Sequence, residues 1–208
     1  MTFEDVFQTG DPARDAFLSR LFGLFSETTV HHWCAHPTAP YENLGRPSLF
    51  VPGRRQPYVL DFTLRHRTTG KVFVTEMKAE LQYDNYRFLR LVDPAQVRHH
   101  EPGAAFQHFL TLTRDPTALP VKVNGRQTTI HGTILVWGAI TSSGREAVQS
   151  AYGFADVLST EAMIADLHRW APDAWRAHVA RLWDWSRDLF TYLGPDALLG
   201  TVEAPGSD

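Results

Sequence analysis

Two stretches decide how this chain folds: Tyr58-Val-Leu-Asp61-Phe-Thr-Leu-Arg65 and Lys71-Val-Phe-Val-Thr-Glu76-Met-Lys78-Ala79. Both are dense in β-branched and aromatic residues, and Arg67-Thr-Thr-Gly70 between them ends in a glycine suited to the positive φ of a tight turn. The pair reads as a β-hairpin. Side chains on a strand alternate faces, so Glu76 and Lys78 project from one side, about 7 Å apart along the backbone. The preceding strand brings Asp61 beside Glu76 on that face. Two carboxylates and an ammonium thus converge within otherwise apolar strands.

On the N-terminal side, Asp11-Pro12 pairs a capping side chain with a proline at the first helical position. Phe17, Leu18, Leu21, Phe22 and Phe25 follow at helical spacing, which predicts one helix to about Ser26 or Glu27 with an apolar face. His36 to Pro57 is rich in Pro, Gly and Arg and reads as irregular, with a short strand at Ser48–Val51. On the C-terminal side, Ala104–Thr113 has helical spacing, Ile134–Trp137 suits a strand buried on both faces, and Phe154–Leu158 suits another short strand. Ser159 caps a helix through Trp170, and Pro172 opens a long helix that Gly194 closes.

The composition of the 208 residues, 43% hydrophobic and 21% charged, is that of a globular protein and excludes collagen-like and disordered classes. No apolar run is long enough to span a bilayer, and the acidic start lacks a signal-peptide pattern, so the expected location is the cytoplasm. Cys34, the only cysteine, excludes an internal disulfide and a multi-cysteine zinc site, and reads as a small apolar filler. The net charge is −3, but residues 46–100 carry ten Lys and Arg against five Asp and Glu. That basic segment holds the hairpin, and suits a groove for a polyanion within an acidic shell.

Burying two carboxylates is costly unless a cation compensates them, and hard oxygen ligands suit Mg²⁺ or Mn²⁺. The arrangement resembles the PD-(D/E)xK nuclease superfamily, in which a helix precedes a hairpin carrying Asp and then Glu-x-Lys, followed by another helix and strand. The match reads Asp61, fourteen residues, then Glu76-Met77-Lys78, with Leu60 where the family often has proline. The resemblance implies an α/β, restriction-endonuclease-like αβββαβ core with a mixed central sheet flanked by helices. It also implies Asp61 and Glu76 as metal ligands, Lys78 as the catalytic lysine, and Mg²⁺-dependent hydrolysis of nucleic acid, DNA before RNA. Residues 1–158 then form the nuclease-like core, 159–199 the C-terminal helices packed on it in the same domain, and 200–208 a flexible tail.

Many members of the superfamily add an acid from the first helix, for which Glu27 is the candidate and Glu42 the second choice; Gln107 is a possible accessory polar group. Arg54, Arg55, Arg65, Arg67, His99 and His100 are candidates for contacts with a nucleic-acid backbone, set against a plain solvated surface. His31-His32-Trp-Cys34-Ala-His36 matches no common zinc spacing. A duplex cutter needs two sites, so a homodimer is expected, with the Trp-rich C-terminal helices as its interface. The rival readings are a catalytically inactive nuclease-fold subunit that binds nucleic acid or assembles, and an unrelated α+β interaction module.

Overall fold

In chain order the computed structural model sets out α1 (Phe3–Phe7), α2 (Pro12–Gly23), α3 (Ser26–Ala35), β1 (Tyr41–Gly45), β2 (Pro47–Leu49), β3 (Tyr58–Val59), β4 (Phe62–His66), β5 (Val72–Lys78) and β6 (Arg90–Leu91). It continues with α4 (Ala95–Arg98), α5 (Ala104–Arg114), β7 (Val121–Val123), β8 (Arg126–Gln127), β9 (Thr133–Trp137), β10 (Ala139–Ile140), α6 (Ser142–Tyr152), β11 (Asp156–Ser159), α7 (Thr160–Trp170) and α8 (Asp173–Leu193). Residues 1–79, 81 and 86–194 are described, and they fall into two units, Met1–His168 and Arg169–Asp208. The tail expected at 200–208 lies outside the described residues. No described helix is long and apolar enough to cross a membrane.

The first unit is α/β, with a mixed central sheet ordered β1-β4-β5-β9-β11 and flanked by helices. β1, β4 and β5 form an antiparallel meander, while β5, β9 and β11 run parallel. A second sheet, ordered β3-β2-β7-β8, and the parallel pair β6 and β10 complete the strands. Every residue of β9 is buried, as its unbroken apolar run requires of a strand covered on both sides. Val72, Val74, Leu135, Trp137 and Val157 pack with Phe106, Phe109 and Leu110 of α5 and Val148 of α6. A separate cluster joins Phe3 and Phe7 of α1 to Leu81, Leu89 and Ala139, with Phe22 of α2 against it. Trp137 spends its indole N–H on the Phe88 carbonyl at 2.7 Å, so the largest core side chain carries no unpaired polar atom.

The hairpin forms with the expected turn, and Gly70 has φ +70°. Its first strand, however, is shorter than the sequence suggests. Tyr58–Val59 pairs with β2 in the second sheet, and only Phe62–Arg65 is in register with β5, so the chain changes sheets at Leu60–Asp61. The single helix expected to about Glu27 is likewise two. Leu24 and Phe25 bond to carbonyls three residues back, Gly23 gives little helical preference, and α3 starts afresh at Ser26. The apolar face assigned to the first of these helices is also imperfect: Asp15 and Ser19 are buried, whereas Phe17 is half-exposed. Asp15 tolerates this because Thr9 donates both its backbone N–H and its hydroxyl to the carboxylate. The segment read as irregular supplies β1, an edge strand held by pairing with β4 and kinked at Gly45, φ +112°.

The C-terminal helices match their sequence signals. Ser159 Oγ accepts from the Ala162 N–H at the start of α7, and Pro172 and Gly194 bound α8. α6 was not anticipated; Thr141 caps it by accepting the Gly144 N–H at 2.9 Å. A Cβ added at Gly144 would lie 2.3 Å from the Leu91 carbonyl oxygen and 2.8 Å from Thr141 Oγ1. Gly144→Ala is therefore expected to destabilise the protein by about 2–4 kcal/mol, read as a lowered urea midpoint at unchanged m-value. An unchanged midpoint would show that α6 does not seat on β6 this closely.

Candidate active site

The register of β4 on β5 pairs Phe62 with Thr75, and one step further Asp61 comes opposite Glu76. β4 has ended there, and the Asp61 side chain takes over the ladder: its Oδ2 accepts the Met77 N–H at 2.8 Å. Glu76 follows four buried residues on β5 and is itself only 6% exposed. Its Oε1 accepts from Lys78 Nζ at 2.7 Å. Its Oε2 is buried with no hydrogen-bond partner among the described residues. Lys78 Nζ also lies 5.8 Å from the centre of the Phe106 ring of α5, which closes the apolar side of the site.

Burial pushes the Glu76 carboxyl above the ordinary carboxylate range, and the negative charge of Asp61 pushes the same way; Lys78 opposes both. A cation at the Asp61–Glu76 pair would relieve both costs. The unpartnered Oε2 and the neighbouring acid are the donor chemistry of Mg²⁺ or Mn²⁺. Among the described residues no group of three or more His, Cys, Asp or Glu could hold a metal ion. Two carboxylates alone would leave most of a divalent ion's oxygen shell to be filled by other ligands.

Arg46, at the junction of β1 and β2, was not singled out from the sequence. Its guanidinium lies 3.4 Å from Asp61 Oδ1 and 3.9 Å from Glu27 Oε2, and its Nε donates to the Leu60 carbonyl. It thereby ties the α3 acid to the hairpin acid. The only signal for it was membership of the basic middle segment, since a loop arginine before a proline has no periodicity to betray its direction. Because Arg46 and a divalent ion would share Asp61, Arg46→Ala is expected to tighten Mg²⁺ binding by about two- to fivefold, the equivalent of one exposed ion pair. Titrating the melting temperature with Mg²⁺ reads this, and an unchanged midpoint removes Arg46 from the site.

The accessory candidates divide. Glu27 joins the cluster through Arg46. Glu42 does not: it pairs with Arg65 and Arg67 at the far end of the sheet edge, and Arg65 holds its carboxyl below the usual range. Arg65 and Arg67 are correspondingly spent, the latter also donating to the Cys34 carbonyl at 2.8 Å. Arg54 stacks 3.7 Å over the Tyr58 ring, and Arg55 is exposed beside it. Gln107 gives its amide to the Glu101 carbonyl. His99 is exposed, but His100 corrects the sequence expectation of a surface phosphate contact. It is buried against Trp137, Phe106 and His99, and burial, with the Lys78 and His99 charges, depresses it to about 4. His100 is thus a neutral ring in the wall behind Lys78. Cys34 is the buried filler expected, its thiol pushed up to about 12 by burial.

No family model, no curated protein and no solved structure matches this chain.

Proposed function

We propose that Met1–His168 is a divalent-metal-dependent nuclease that hydrolyses phosphodiester bonds, DNA before RNA, on a restriction-endonuclease-like core. One observation carries the proposal: two carboxylates meet across β4 and β5, one with a buried, unpartnered oxygen, and a lysine sits on the other oxygen. The element order α3–β1–β4–β5–α5–β9 supports it, being the helix, three strands, helix and strand of the PD-(D/E)xK pattern.

A bound Mg²⁺ or Mn²⁺ would supply Lewis acidity to a phosphate oxygen and lower the pKa of a water. Asp61 and Glu76 would hold it, with Glu27 within reach of the same cluster through Arg46. Asp61 is oriented by the Met77 N–H, so one carboxylate is fixed before anything binds. Lys78, held on Glu76 Oε1, would be placed to turn toward the attacking water or a phosphate oxygen if a cation shared the Glu76 charge. The wall formed by Phe106 and neutral His100 keeps competing charge away from that amine.

The second reading, a silent scaffold that binds nucleic acid without cutting it, draws on the same ion pairs. Arg46 on Asp61 and Lys78 on Glu76 already offset both acids. Purified protein incubated with plasmid, single-stranded DNA and RNA separates the two. Cleavage that requires Mg²⁺ or Mn²⁺ supports the nuclease; binding without cleavage in either metal supports the scaffold.

A further inference from the structure

We infer that α8 is a self-association surface that pairs with the same helix of a second copy of this chain. The inference concerns Arg169–Asp208 alone and stands apart from the nuclease reading. Val179, Leu182, Ser186, Leu189 and Leu193 recur at alternating steps of three and four, the seam that packs helix on helix in a coiled coil. Trp183, Trp185 and Tyr192 flank the seam. Val179, Trp183, Trp185, Leu189, Tyr192 and Leu193 are 40%, 71%, 60%, 55%, 86% and 66% exposed. Isolated apolar residues at a surface are ordinary, but these recur along one helix on and beside a single seam.

The nature of the partner follows from charge and area. From Arg181 to Leu193 the charged residues are Arg181, Asp184, Arg187 and Asp188, and all fall at positions opposite the seam. Asp184 and Arg187 pair with each other at 3.0 Å. Arg181 reaches the edge of the face, its guanidinium 5.9 Å from the centre of the Trp185 ring; the seam itself carries no charge, and its best complement is an equally uncharged apolar seam. The balanced outer face also lacks the Lys and Arg excess of a membrane-surface helix. Ser186, the polar residue of the seam, bonds back to the Leu182 carbonyl at 2.8 Å, so it can be buried at little cost. The exposed side chains offer on the order of 1,000 Å² per copy, enough for the two sides of a standard dimer. A two-fold pairing is self-complementary and closes at two copies.

Sedimentation velocity on the full chain tests this. The wild type is expected to be a dimer at micromolar concentration that dissociates on dilution. Trp183→Glu and Leu189→Glu are each expected to weaken the dimer by about thirtyfold or more while circular dichroism stays unchanged, because exposed positions tolerate the swap in the monomer. Asp184→Lys, on the opposite face, is expected to leave it intact. A wild type that is monomeric throughout, a dimer indifferent to both seam substitutions, or binding to anionic vesicles in place of dimerisation would each overturn the inference.

Discussion

Lys78→Ala is expected to lower divalent-dependent strand cleavage by about 10²–10⁴-fold, the usual contribution of a positioned proton-transfer group, while leaving folding intact. The substitution removes an amine held 2.7 Å from Glu76 Oε1 and otherwise bordered by the Phe106 ring. The Lys78 side chain is 22% exposed, so its loss opens no sealed cavity, and the variant is expected to fold with a lowered metal-free melting temperature because Glu76 loses its counter-charge. Glu76 and Asp61 remain, so Mg²⁺ should still raise the melting temperature of the variant. Removing an ammonium beside two acids makes the ion bind at least as tightly. Loss of cleavage with retained metal binding therefore assigns Lys78 to proton handling at the proposed site. Cleavage at the wild-type rate would dismiss it from that role, and loss of metal binding together with cleavage would show that Lys78 instead supports the carboxylates.

The parts of the structure visible in the sequence are those where local chemistry and tertiary packing agree. Val72–Lys78 and Ile134–Trp137 alternate or concentrate apolar residues strongly enough to announce strands, and Thr-Gly at 69–70 announces the turn. Asp61 opposite Glu76 followed from counting back across that turn. Leu60–Asp61 was not legible as a break, because nothing in Tyr58–Arg65 distinguishes a strand that stays in one sheet from a strand that changes sheets; the second sheet's β2 captures Tyr58–Val59. β1 was hidden for the opposite reason. Glu42, Asn43 and Gly45 have poor strand preference, and pairing with β4 alone makes Tyr41–Gly45 extended. His100 looked like half of a surface His-His pair, yet an imidazole is small and aromatic enough to be buried when rings such as Trp137 and Phe106 surround it. Arg46 shows the limit most plainly. A long loop side chain can reach several carboxylates, and only the folded geometry selects Asp61 and Glu27.

Glu76→Gln is expected to raise the melting temperature of the metal-free protein at neutral pH and to abolish its response to Mg²⁺. The sign follows from proton counts. In the folded protein the Glu76 carboxyl titrates above its ordinary value of 4.5, chiefly through burial and secondarily through Asp61. Below pH 4.5 the folded and unfolded chains both carry the proton, and Glu76 contributes nothing to the pH dependence. As pH rises from 4.5 through the raised folded value, the unfolded chain has released a proton that the folded chain still holds, so stability falls across that window. Above it the folded state bears the full cost of a buried charge with an unpartnered Oε2. Glutamine keeps an oxygen for Lys78 and carries no charge, so the variant escapes the penalty. Its advantage over the wild type grows with pH across that window, read as a rising difference in melting temperature. Mg²⁺ is expected to reverse the order for the wild type, since it would bind only the ionised site, with an affinity that rises with pH through the same window. Thermal melts of both proteins between pH 4 and 8, with and without Mg²⁺, read all three effects. A variant no more stable than the wild type at any pH would mean that Glu76 is fully compensated by Lys78, which leaves no unmet demand for a metal ion.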